Sequence, residues 1–197
     1  MGIGGWIIYL FFKGRVSDQE YDLIVDKELS NSIKARAISK LGTDISEFVS
    51  EEVVITGPRL WDTANCEILY KPGEDGVLRF TPMNVTVINF TQNQLLIYSC
   101  CYDVLTGNCI NENTDEYFYK DVVSVSTKTE STDSKIGYMQ LNSAETFVLT
   151  TSGGTSISIL LSDPQLIEKM GGGSIPKTKA EKAIQSVRVM LRDVKSS

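Results

Sequence analysis

Four cysteines, three acids beside strand-like runs and one glycine tract are the residues of this chain whose types and spacing could do chemistry. Cys66, Cys100, Cys101 and Cys109 could bind a soft metal as thiolates or close a disulfide. None of them forms a C-x-x-C pair, so a four-thiolate zinc or iron–sulfur site lacks its usual spacing. Cys100 and Cys101 are adjacent, and on a strand they point to opposite faces, which leaves a vicinal bridge strained. Cys101 and Cys109 could bridge a hairpin in an oxidising compartment. The competing reading, reduced thiols acting as small hydrophobes, needs no special compartment and is the one adopted. Asp115, Glu116 and Asp121 are the acids a carboxylate hydrolase could use, but they flank strands, where acids are ordinarily solvated or capping. Gly171-Gly172-Gly173 could cradle a phosphate. No strand-G-x-x-x-x-G-K-[ST] arrangement surrounds it, so it reads as a linker.

The 197 residues include no histidine. That removes the commonest general base, proton shuttle and metal ligand, and with them Ser-His-Asp, Cys-His and histidine-containing zinc chemistry. No catalytic, cofactor or metal residue is therefore assigned. The net charge of −6 and pI near 4.8 disfavour broad binding to nucleic acid or to anionic lipid, both of which rest on excess Lys and Arg. A local exception is the outer face of the last helix, with Lys177, Lys179, Lys182, Arg188, Arg192 and Lys195. Lys179, Lys182, Arg188 and Arg192 are its candidate binding face, and an ordinary solvated helix surface is the alternative.

The elements that must position these residues fall into three segments. Residues 1–16 hold the apolar run Ile3–Phe12, which at ten residues is too short to span a bilayer as a helix. It reads as an element buried in the fold or in a dimer, as a monotopic membrane anchor with Lys13 and Arg15 at the interface, or as the tail of a longer segment. Residues 17–50 open with a capping box, Ser17-Asp18-Gln19-Glu20, and continue as an amphipathic helix through Tyr21, Val25, Leu29, Ile33, Ala37 and Leu41 to Gly42. Residues 51–197 read as strands: VVIT, Cys66–Tyr70, Val77–Phe80, Val85–Phe90, Leu95–Tyr102, EYFYKDVVSVSTKTE, TFVLTT and SISILL. Asp163-Pro164 starts a short helix, and a second capping box at Thr178–Glu181 opens an amphipathic C-terminal helix.

The run T-x-N-Q-L-L-I-Y followed by Y-K-D-V-V-S-V resembles bacterial PH-like (GRAM-like) domains. The matching positions are Thr91, Asn93, Gln94, Leu95 and Tyr98, then Tyr119, Asp121, Val122, Ser124 and Val125, with Gln94 standing where that family often has Arg. The chain as a whole also looks like uncharacterised bacterial proteins of about this size. The PH-like resemblance implies an α+β fold: an antiparallel β-barrel or sandwich of about seven strands, closed by the C-terminal helix, with the N-terminal helix in addition. It further implies a non-enzymatic binding or scaffold module recognising a protein or peptide partner; no cofactor is expected, the net charge argues against nucleic acid, and reduced thiols suit the cytoplasm. The alternative is a peripheral membrane protein anchored through residues 3–12, and the same segment could serve a homo-oligomer.

Overall fold

A computed structural model of the chain describes residues 3–59, 66–130, 134–136, 139–141, 144–154, 156–162 and 180–196. Helix α1 (Ile3–Phe12) leads into α2 (Asp18–Lys27). The capping box forms as expected: the Ser17 hydroxyl accepts from the Glu20 amide at 3.4 Å, and the Glu20 carboxylate accepts from the Ser17 amide at 3.1 Å. The helical path widens into a π-helical stretch at Glu28–Ile33, resumes as α3 (Lys34–Leu41), and stops at Gly42, whose φ of 66° is the left-handed cap.

The strands are β1 (Val53–Pro58), β2 (Leu69–Pro72), β3 (Leu78–Thr81), β4 (Met83–Phe90), β5 (Gln94–Asp103) and β6 (Asn108–Phe118), then β7 (Val122–Glu130), β8 (Ser134–Ile136), β9 (Met139–Leu141), β10 (Ala144–Thr151) and β11 (Ser156–Ser162). The C-terminal helix is α4 (Ala180–Ser196). The segment expected as one strand from Glu116 to Glu130 is broken by a 3-10 turn at Tyr119–Asp121, and its two halves join different sheets.

The fold is α+β, but the expected PH-like barrel is not formed. The described strands make antiparallel sheets in the orders β1-β4-β5-β6, β11-β10-β7, β2-β3 and β8-β9, and none closes on itself. The physical reason lies in β4 and β5, MNVTVINF and QLLIYSCCYD, which are buried along almost their whole length. Such strands need cover on both faces, whereas a barrel strand turns one face to solvent. On one face Val85 and Val87 of β4 meet Tyr98, Cys100 and Tyr102 of β5 beneath Ile8, Phe11, Tyr21, Val25, Ile33 and Ala37 of the N-terminal helices. On the other, Ile55, Ile88, Phe90, Leu95 and Ile97 pack against Tyr119, Val122, Phe147 and Leu149, and against Ile184, Val187 and Leu191 of α4. The C-terminal helix thus shares this second core, lying against β1, the 3-10 turn and β7, rather than plugging a barrel end. Each large side chain buried in these cores contributes about 1.5–3 kcal/mol.

Helix α1 spends its apolar side on the first core: Ile8 and Phe11 are fully buried, and Trp6 is exposed, stacked on Tyr9 at 5.9 Å. This places the Ile3–Phe12 run within the fold. Among the described residues no helix is long and apolar enough to cross a membrane.

One buried cation fastens the helical layer to the β2–β3 hairpin. The Arg79 guanidinium, 3% exposed, donates to both oxygens of Asp22 at 2.9 and 2.6 Å and to both oxygens of Asp75 at 2.9 Å. Asp18 lies 3.5 Å from the same guanidinium and accepts from the Glu74 amide at 2.7 Å. The turn must come so close to this cluster that a Cβ on Gly73 would strike the guanidinium and the Asp18 carboxylate.

Candidate functional site

The chemistry-bearing residues gather on the β5–β6 hairpin. Its register pairs Ile97 with Asp115, Tyr98 with Thr114 and Ser99 with Asn113, then skips to Cys101 with Ile110 and Tyr102 with Cys109. The skip is a β-bulge: Asn111 and Glu112 together oppose Cys100, and Asn111 takes a left-handed φ of 53°. An extra residue changes which side chains share a face. Here it brings Glu112 and Cys109 to the helix-facing side, beside Tyr98 and Cys100.

On that side the Tyr98 hydroxyl donates to Glu112 at 2.9 Å. From α3, Arg36 donates to both Glu112 oxygens at 2.8 and 2.7 Å, and the Lys40 ammonium stands 3.4 Å away. The Arg36 hydrogen bonds, helped by Tyr98 and Lys40 and opposed by burial, lower the Glu112 carboxyl to about 2. The neighbouring Cys100 thiol, as donor, lowers Cys109 below the ordinary thiol value against the opposing effect of burial, and the charge of Arg36 acts in the same direction. Cys100 is correspondingly raised, by that same donation and by burial. A half-buried sulfur with a lowered pKa is a nucleophile, and a second thiol, Cys100, lies on the same face of the hairpin.

The Glu112 shift has a consequence for stability. A carboxyl whose folded value is depressed stabilises above its unfolded value of 4.5, and the contribution is lost as pH falls towards 2. Wild-type chain is expected to lose urea resistance between these limits more steeply than Glu112→Gln, which carries no titrating group there. Parallel pH profiles of the two would contradict the pairing.

The opposite face of the hairpin opens on a polar pocket of about 200 Å³. Arg59, Asn84, Thr86, Ser99, Cys101 and Asp115 line it. Arg59 donates to Asn84 at 3.4 Å, and Asp115 accepts from the Asn113 amide group at 2.6 Å. Burial raises Cys101 to about 11, so this thiol stays protonated. Cys101 and Cys109 therefore sit on opposite faces, and the bridge considered between them is replaced by the contact between Cys100 and Cys109.

The other expected residues scatter. Asp115 faces the pocket, while Glu116, opposite Leu96, is turned to the other side and exposed. Asp121 lies in the 3-10 turn, where its carbonyl accepts from the Ser152 amide at 2.7 Å. The three acids do not converge on one point. Arg188 is half-buried and Arg192 exposed on α4; Lys179 and Gly171–Gly173 lie outside the described residues, as does the side chain of Lys182. Among the described residues no group of three or more cysteine, aspartate or glutamate side chains could hold a metal ion. Comparison with family models, curated proteins and solved structures finds no match to the chain, and nothing in it identifies a PH-like or GRAM-like domain.

Proposed function

We propose that the chain is a binding module rather than an enzyme, and that it takes a protein or peptide partner as an added strand along the outer edge of β6. The observation that carries this reading is the edge itself. β6 is eleven residues long, and among the described residues it pairs with β5 alone. An unpaired strand edge offers a row of amides and carbonyls to an extended segment, and pockets beside the edge supply selectivity for its side chains. The pocket containing Asp115 adjoins this edge and reaches across the sheet. β6 carries three acids and no cation, and with Glu112 already paired to Arg36 and Lys40 it is Asp115 and Glu116 that complement an extended segment carrying Lys or Arg.

Titrating isotopically labelled chain with lysine-containing extended peptides tests this. The amides of β6 are expected to shift, and Asp115→Lys is expected to weaken binding about tenfold, a change of ~1.4 kcal/mol. The reading fails if β6 amides stay still while such peptides bind, or if Asp115→Lys binds them as tightly as the wild type.

A further inference from the structure

The helix-facing side of the same hairpin supports an inference independent of any partner at the β6 edge. We propose that Cys109 is an oxidation site for small hydroperoxides, with Cys100 as its resolving thiol, so that the chain closes an intramolecular Cys100–Cys109 disulfide across the β5–β6 bulge. Three observations converge. The register places both side chains on one face, Cys109 opposite Tyr102 and Cys100 two residues before Tyr102, and both pack in the core under the N-terminal helices. Cys109 is half-buried, so a molecule as small as hydrogen peroxide can reach it, while Cys100 is 4% exposed and is reached through Cys109. The groups round Cys109 are Tyr98, Cys100 and Tyr102 on β5, Glu112 on β6, and Arg36 on α3. Lys40 and Glu28 stand behind them, on Glu112 and on the Tyr102 hydroxyl. Of these, the Arg36 guanidinium and the Cys100 thiol favour a thiolate at Cys109, and Glu112 opposes it. Redox-sensitive cysteines combine such thiolate character with access and an adjacent second thiol.

The chemistry balances without a metal or cofactor. The Cys109 thiolate attacks one peroxide oxygen; the O–O bond breaks as an S–O bond forms, and the departing hydroxide takes up a proton as water. Sulfur is oxidised by two electrons to the sulfenic acid and the peroxide is reduced. The Cys100 sulfur then attacks the Cys109 sulfur. The S–O bond breaks, the S–S bond forms, and hydroxide leaves with the Cys100 proton as a second water.

The experiment exposes the full chain to hydrogen peroxide, unfolds it in an alkylating reagent and maps the peptides by mass. Cys100 and Cys109 are expected to disappear together as one linked peptide within a single chain, recovered by dithiothreitol, while Cys66 remains alkylated. Cys100→Ser is expected to stop at a sulfenic acid on Cys109 that dimedone captures. Arg36→Gln is expected to slow Cys109 loss at neutral pH about fivefold and leave Cys66 unchanged. A bridge between any other pair, a bridge between two chains, or oxidation of wild-type Cys109 no faster than Cys66 overturns the assignment. The last comparison is made inside the wild-type molecule, so it stands even if a variant fails to fold.

Discussion

Val87→Asp and Ile88→Asp are each expected to destabilise the fold severely, although the two side chains are neighbours in β4 and point in opposite directions. Both are 1% exposed, Val87 in the core under the N-terminal helices and Ile88 in the core shared with α4. Losing either aliphatic side chain forfeits about 1.5–3 kcal/mol of burial. The incoming carboxyl, neutralised because a bare charge there is far costlier, leaves a polar group unsatisfied for a further ~1–3 kcal/mol. The sum, about 4 kcal/mol, is a large share of the ~5–15 kcal/mol that holds a domain folded. Circular dichroism and urea denaturation of the two variants would measure it. In a sheet with one solvated face, one of the pair would be tolerated within about 0.5 kcal/mol, and that result would contradict a central sheet covered on both sides.

This double cover is also what the sequence half reveals. Local devices were legible because their chemistry is local: the Ser17 capping box and the Gly42 cap both appear where their residues place them. In the run from Val85 to Phe90 the alternation of apolar and polar residues is imperfect, and that imperfection is the mark of a strand buried on both faces. Read with the PH-like resemblance, the same run suggested a barrel wall. Which sheet each strand joins was not legible. The stretch from Glu116 to Glu130 reads as one strand, but Tyr119 is drawn fully into the core, donating to the Thr91 carbonyl at 2.9 Å. The turn around it redirects the chain, so that β7 pairs with β10 instead of continuing β6.

The candidate site divides in the same way. That Cys100 and Cys101 face opposite sides follows from the period of a strand. Which of them meets Cys109 depends on the register and on one extra residue at Asn111, and neither polar run of β6 announces that bulge. Arg36 could not be tied to the site from spacing either, because its carboxylate partner Glu112 lies 76 residues away. Non-local pairing of this kind is decided by the packing of α3 over β5, which only the folded chain displays.

Arg79→Ala is expected to lower stability by about 3 kcal/mol, at the low end of the cost of breaking a buried ion pair because the carboxylates left behind reach water. The guanidinium is 3% exposed, whereas Asp22 and Asp75 are about half exposed at 49% and 48%. Without it α2 loses its fork-to-carboxylate tie to β3, and the turn at Gly73 loses the group it is wrapped around. Arg79→Lys keeps the charge but can satisfy only one carboxylate at a time, so it is expected to fall between alanine and wild type. The effect carries a pH signature. Hydrogen bonds from Arg79, aided by the Val77 amide, hold the Asp75 carboxyl below its ordinary value of 3.8. A depressed carboxyl stabilises above that value and ceases to do so as pH falls below it, so the difference between wild type and Arg79→Ala should narrow on acidification below about pH 4. Urea midpoints of the three proteins at pH 7 and through the acid range would show this. A loss of less than about 0.5 kcal/mol in Arg79→Ala would mean that α2 is held by the apolar contacts of Tyr21 and Val25 alone.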